Sequence, residues 1–199
     1  NYLEALEEYL RTSSDDAVGI TTTTPQLPSV IKILAVIRSV RPDLRVILGG
    51  PHVTLVYSAK KMEIKRKVQG GRGHAAAAQL ESLFDVLVSG DGELAIFEAL
   101  KHGAPKVVDG DDPKGGFFLT DRMFTELPLP ARHLVDLKSY HYSIGDFRAT
   151  SLIAQLGCPF GCGFCGGRNS KSLRQIRNRD TASILAEVEH LHRAHGYTG

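Results

Sequence analysis

The chain has 199 residues, 42% of them hydrophobic and 23% charged, with a net charge of +2 at pH 7. That is a globular composition with room for one or two cores. The near-neutral balance gives no argument for a nucleic-acid partner, and no apolar run reaches the roughly 20 residues of a membrane span.

Tyr2, Leu3, Leu6, Tyr9 and Leu10 recur at helical spacing and predict an amphipathic first helix rather than a secretory signal. Ala17–Ile20 reads as a buried strand, followed by the polar run from Thr21 to Gln26. Open α/β sheets bind ligands beyond the carboxyl ends of their strands, so Thr22, Thr23 and Thr24 are either turn formers or part of a ligand crevice. Val30, Ile33, Leu34, Ile37 and Val40 predict a helix from about Ser29 to Arg41, stopped by Pro42. Arg45–Leu48 is the next strand. It runs into Gly49-Gly50-Pro51-His52-Val53-Thr54, expected as a loop whose glycines let a planar ligand approach the backbone. This rhythm predicts a parallel sheet with right-handed crossovers.

The basic stretch from Lys60 to Lys67 reads as a solvated face. Gly70–Gly73 reads as a joint; no GKS/T pattern makes it a phosphate loop. A helix is expected from His74 to Phe84 and a strand at Asp85–Val88. Ser89-Gly90-Asp91-Gly92-Glu93 then opens a helix to about Lys101, where the two carboxylates suit the amino end. Residues 103–148, with prolines and glycines in clusters, read as an irregular connector with a short hairpin. Tyr140, His141 and Tyr142 there are packing residues or cofactor contacts.

Thr150–Leu156 reads as a short buried strand. Asp180 is the expected N-cap of a helix reaching His195, with Ile184, Leu185, Val188, Leu191 and His195 as its apolar-leaning stripe and Gly196 as its stop. Between strand and helix lie all three cysteines, Cys158, Cys162 and Cys165, spaced C-x3-C-x2-C. An odd number clustered in so short a loop argues against disulfides and for a reducing, cytoplasmic compartment. Three thiolates can each hold one iron of a 4Fe–4S cluster, which ordinarily takes four cysteines, leaving the fourth iron open to a reactive ligand. Structural zinc favours paired C-x2-C units, and His190, His192 and His195 are not well spaced to complete a site with the loop.

Gly157 to Cys165, with aromatic Phe164 just before the third cysteine, resembles the signature of the radical S-adenosylmethionine (SAM) enzymes. The resemblance implies that S-adenosylmethionine chelates the open iron and is cleaved to a 5′-deoxyadenosyl radical. It also implies an electron donor of the flavodoxin or ferredoxin type. Arg177 and Arg179 face the carboxylate of S-adenosylmethionine or lie in solvent. Three further stretches resemble the cobalamin-binding domain that precedes many radical SAM modules. They are Val18-Gly19-Ile20 with its threonine run, Gly49 to Thr54, and Asp85 to Glu93, where the family usually has Glu in place of Asp91. By that resemblance Thr22, Thr23, Thr24, Gly49, Gly50, His52, Thr54, Gly90 and Glu93 line a corrin crevice. His52 is either a cobalt ligand or a polar contact. The family's D-x-H-x-x-G motif for a lower histidine ligand does not occur.

The expected fold class is α/β. A partial doubly wound parallel sheet, Rossmann-like and cobalamin-binding, spans 1–105 and lacks its first βα unit. A connector spans 106–148, and 149–199 begins a radical SAM partial TIM barrel. The resemblance further implies an interior piece of a longer enzyme, inactive alone, that acts on an unknown small-molecule substrate; charge and hydropathy give it no nucleic-acid or membrane partner. A cobalamin-dependent methyltransferase acting on an unactivated carbon is the leading reading. The alternatives are a radical SAM enzyme that binds no cobalamin, of methylthiotransferase-like, cyclase or rearrangement chemistry, and a non-catalytic zinc or iron–sulfur module.

Overall fold

The computed structural model describes residues 1–199 and divides into two compact units. One comprises Asn1–Phe118 with Pro159–Arg174, the other Leu119–Cys158 with Gln175–Gly199.

The first unit opens with α1 (Tyr2–Thr12). Asn1 caps it, accepting a hydrogen bond from the Leu3 amide at 3.0 Å. Four parallel strands follow, β1 (Ala17–Thr21), β2 (Arg45–Gly49), β3 (Val86–Gly90) and β4 (Val107–Gly110), hydrogen-bonded in that order. The helices between them are α2 (Leu27–Val40), α3 (Pro51–Lys65), α4 (Arg72–Leu83) and the short α5 (Ala95–Ala99). Because side chains alternate along a strand, Val18, Ile20, Val46, Leu48 and Leu87 share one face. There they form the main core with Leu10, Val30, Ile37, Val53 and Phe84 from the helices and connections. Ile47, Val86, Val88 and Val108 form a second cluster, with Ala95 and Ala99 of α5. Each such side chain removed from water is worth about 1.5–3 kcal/mol, so both faces of β2 and β3 are firmly held.

The register brings the strand ends together: Thr21 lies opposite Gly49, and Gly90 opposite Gly110. Two expectations change at this carboxyl edge. Gly49–Thr54 is not a loop. Gly50, at φ 91°, makes the turn by itself, and Pro51 takes the first helical position, which its fixed φ suits. His52, Val53 and Thr54 therefore belong to the first turns of α3. The stretch expected as irregular after residue 105 contains a fourth strand, β4, whose few apolar residues, Val107 and Val108, are too short a run to show periodicity. Likewise α4 starts at Arg72 inside the expected joint, because the Glu63 carboxylate accepts hydrogen bonds from the Gly73 and His74 amides at 2.7 and 2.9 Å.

In the second unit, α6 (Asp121–Glu126) is capped by Thr120, and β5 (Ser143–Ile144) pairs with β6 (Phe147–Arg148) as a hairpin. The expected buried strand at 150–156 is only partly realised. β7 (Gln155–Leu156) pairs antiparallel with β8 (Arg177–Asn178), and Ile153 is exposed. Around Ala149, however, the Gly199 amide donates to the Arg148 carbonyl at 3.1 Å, and the Thr150 amide donates to the Gly199 carbonyl at 3.2 Å. That is the bonding of a parallel pair, and helix α7 (Thr181–His195) lies between its two partners in the chain. Asp180 caps α7 through the Ser183 amide at 2.8 Å, and Gly196 closes it at φ 68°. Its buried face differs from the apolar stripe: Leu185 and Val188 are exposed, whereas Glu187 is buried beside Leu191. Glu187 turns inward because Arg132 and Arg179 meet its two oxygens at 2.7 and 2.5 Å. Arg179 also donates to Ser183 and to the Ile153 carbonyl, and Arg177 is buried with its guanidinium donating to the Leu119 carbonyl.

No helix is long and apolar enough to cross a membrane.

Candidate cofactor sites

On the sheet face away from α2, a cleft of 350 Å³ opens at the carboxyl edge. β1 supplies Gly19 and Thr21, β2 supplies Ile47 and Gly49, and β3 supplies Val88 and Gly90; Gly50, Gly92 and Ile96 complete the rim. The floor is apolar and glycine-lined, with no charged side chain.

Two of these glycines are required by the fold itself. At Gly50 a Cβ would lie 2.5 Å from the Thr21 hydroxyl, and at Gly90 it would lie 2.3 Å from the Asp111 amide; both have φ near 90°. Gly19 and Gly92 are different. A Cβ at either position would meet nothing within 4 Å. Glycine inside a strand costs entropy and packs nothing, and here it leaves the exposed face of β1 open beside the cleft. An apolar, glycine-lined floor fits part of a corrin, the remainder lying outside a cleft of this size.

The polar residues expected in the crevice are occupied in holding its walls. The Thr22 amide donates to the Gly49 carbonyl at 3.1 Å, and the buried Thr22 hydroxyl donates to the Thr23 carbonyl at 2.9 Å. Thr23 donates to the Gln26 side chain through both its amide and its hydroxyl. Thr54, also buried, donates to the Gly50 carbonyl at 3.1 Å and accepts from the Gly90 amide at 2.9 Å, tying α3 to the end of β3. The Thr24 hydroxyl and His52 Nδ1 are 3.0 Å apart, and the His52 amide donates to the Thr22 carbonyl. Burial pushes the His52 pKa below its ordinary value, so the ring is neutral at pH 7. Of the residues expected at the crevice, Gly49, Gly50 and Gly90 line the cleft. Thr22, Thr23, Thr24, His52 and Thr54 do not, and Glu93 is exposed beside Gly92. The reading of residues passed over Gly19, although one signal was available: in Val18-Gly19-Ile20 alternation puts the glycine alone on the opposite face.

The cysteines are all free. Cys158 ends a segment of the second unit and is exposed. Cys162 and Cys165 belong to the first unit and are half-buried, with the Cys165 amide donating to the Cys162 carbonyl at 3.1 Å. A single 3-10 turn, Gly166–Asn169, follows them. Arg168 donates to the Gly163 carbonyl at 2.6 Å and Arg174 to the Pro159 carbonyl at 2.9 Å, closing the loop on itself. Phe164 is 94% exposed. No three histidine, cysteine, aspartate or glutamate side chains are gathered to hold a metal ion. The donor chemistry fits an iron–sulfur group: three free thiols within eight residues of a glycine-rich stretch.

Comparison with known proteins bears on the first of these sites. Residues 2–81 match the B12 binding domain model. The chain is 26% identical over 184 residues to an uncharacterised methyltransferase of Pyrococcus horikoshii, covering 91% of this chain and 38% of that protein. It is 28% identical over 206 residues to the anaerobic magnesium-protoporphyrin IX monomethyl ester cyclase of Cereibacter sphaeroides, covering 97% of this chain and 31% of the cyclase. The cyclase of the same name from Rubrivivax gelatinosus is 26% identical over 209 residues, covering 96% and 34%. The chain thus spans about a third of the length of these relatives. No solved structure matches it. The matched region, residues 2–81, carries β1, β2 and the glycines Gly19, Gly49 and Gly50 of the cleft, and it is similar to a domain named for binding B12.

Proposed function

We propose that this chain is part of a cobalamin-dependent radical SAM enzyme, with the corrin against the glycine-lined cleft and a 4Fe–4S cluster on Cys158, Cys162 and Cys165. The observation that carries the reading is the glycine-lined apolar cleft, whose Gly19, Gly49 and Gly50 fall within the stretch similar to a B12 binding domain. Gly49, Gly50 and Gly90 would let the ring lie against backbone, while Ile47, Val88 and Ile96 would exclude water from its apolar side. Thr22, Thr54 and His52 would act on the walls rather than on the ligand. The three thiolates would hold three irons and leave the fourth for the amino and carboxylate groups of S-adenosylmethionine. Together the bound groups would supply a 5′-deoxyadenosyl radical, by one-electron reduction of the sulfonium, and a methyl carrier. The electron would come from an external donor of the flavodoxin or ferredoxin type, and the substrate would be a small molecule with an unactivated carbon.

Ring closure instead of methyl transfer is the second reading, favoured by the two relatives named as cyclases. Anaerobic reconstitution with iron and sulfide, followed by hydroxocobalamin and gel filtration, tests what both readings share. The expected result is about four irons per chain and a retained corrin spectrum. Iron without corrin leaves a radical SAM protein whose sheet binds no cobalamin; a colourless zinc protein removes both readings.

A further inference from the structure

We infer that Asp111 is a positioning residue for the cysteine loop, fixing Cys162 and Cys165 against the sheet through Ser170 and Ser172. The inference rests on the proposed cluster only for its functional meaning; the docking itself is in the structure.

Asp111 follows the last residue of β4. Because Gly110 pairs with Gly90, the sheet register sets its backbone at the carboxyl edge. Its side chain is buried, 3% exposed as a residue. Oδ1 accepts three hydrogen bonds, from the Ser170 hydroxyl at 2.6 Å and from the Ser172 amide and hydroxyl at 2.8 Å each. Oδ2 faces the Ser58 hydroxyl at 3.3 Å and Lys61 Nζ at 3.8 Å. Both serines are buried as well. From Ser170 the path back to the thiols is one turn long. The Ser170 amide donates to the Gly167 carbonyl, and the Arg168 amide to the Cys165 carbonyl.

A buried carboxylate is costly, and a well-packed apolar residue in its place is often as stable or more so. Directional bonds can do what apolar packing cannot: fix one register of a segment that has almost no regular structure of its own. All three bonds on Oδ1 come from the five residues that follow Gly167, and none comes from elsewhere in the unit. The loop therefore rides on the same unit as the glycine cleft, with its downstream end pinned and its thiols left half-exposed.

The test uses the full chain, metal-free and reduced, with the alkylation rate of each cysteine read by mass spectrometry. Asp111→Ala should raise the rates at Cys162 and Cys165 by about tenfold, as expected when local opening becomes easier. Cys158, outside the pinned stretch, should keep its rate and serves as the internal reference. Asp111→Asn retains an oxygen at the Oδ1 position and should restore both rates to those of the unmodified chain. Should Asp111→Ala fail to fold by circular dichroism, Ser170→Ala with Ser172→Ala removes two of the three donors and should give the same selective rise. Unchanged rates at Cys162 and Cys165, an equal rise at Cys158, or an Asn variant as reactive as the Ala variant would each overturn the inference. Iron uptake by the unaltered chain is measured separately. Its failure would remove the cluster while leaving the alkylation result to stand.

Discussion

The glycine cleft and the cysteine loop share much of one unit and are built on opposite plans. At the cleft the backbone groups of the rim are answered by the protein: the Gly90 amide by Thr54, the Thr22 amide by Gly49, the Asp91 amide by Gly110. Behind it stand Val46, Leu48 and Leu87, all fully buried. Around the thiols, Pro159 to Gly161, Gly163 and Phe164 are exposed, and the first regular feature is the turn at Gly166. One site is finished before any ligand arrives. The other has its downstream end tied and its middle open, which would suit a group that supplies its own bonds. Preformed sites spare a ligand the cost of ordering; a metal cluster recovers that cost through its thiolate bonds.

The largest effect should come from the open site. Serine in place of Cys158, Cys162 or Cys165 should take iron after anaerobic reconstitution from about four per chain to background. The melting of the sheet, whose core contains no cysteine, should not change. Iron that persists in any one variant would mean the loop is not a three-thiolate site.

The finished site should fail differently, by unfolding. Gly50→Val forces a β-branched residue to φ 91° with its Cβ 2.5 Å from the Thr21 hydroxyl and 2.7 Å from the Thr22 amide. A loss of about 3 kcal/mol or more is expected from strain and displacement together. Thr54→Val keeps the shape and removes the acceptor of the Gly90 amide, for about 1–3 kcal/mol. Urea midpoints measure both, and a neutral Gly50→Val would show that the rim is not rigid.

The same contrast governs what could be read in the sequence. The sheet strands β1, β2 and β3 and helices α2 and α7 follow from apolar runs, periodic spacing and caps, because burial enforces a regular pattern. β4 did not show itself, since two valines between charged and glycine-rich stretches carry no period. The first turn of α3 was hidden by Gly49-Gly50-Pro51, which reads as a loop until Gly50 is seen to turn alone. In α7 the buried position goes to Glu187 over Val188, because Arg132, 55 residues away, and Arg179, just ahead of the helix, decide it. Asp111 was equally silent: its importance lies in Ser170 and Ser172, some sixty residues away. Glycines and cysteines announce a site by their type, whereas tertiary hydrogen bonds leave no local mark.

Acid should act on the framework under the cleft. At the other end of the sheet, Asp85 accepts from the Val46 amide and from Arg38, both at 2.7 Å. Burial raises its pKa, but the Arg38 bond and the Val46 amide outweigh this and hold it below the ordinary 3.8. A carboxylate whose pKa is lower in the folded state contributes its stability above the unfolded value. That contribution is therefore whole above pH 3.8 and is lost as pH falls through the lowered folded value. Asp85→Asn should flatten the loss of stability below pH 3.8, measured by acid unfolding monitored at several pH values. An unchanged slope would mean other carboxylates carry the acid sensitivity.

The smallest change in stability should be the most informative. Gly19 has no positive φ, and a Cβ there would meet no atom within 4 Å, so the protein itself has no use for glycine at this position. Gly19→Ala should leave the urea midpoint unchanged or raise it, by up to about 1 kcal/mol, through the lower entropy of the unfolded chain. Gly19→Leu should also fold, with its side chain standing over Ile47 in the cleft. If the open face of β1 is where the corrin rests, that leucine takes its place and hydroxocobalamin is no longer retained on gel filtration, while iron loading is untouched. A Gly19→Leu chain that holds corrin as well as the unaltered one would separate the cleft from the cofactor, because no folding defect would remain to explain any other outcome.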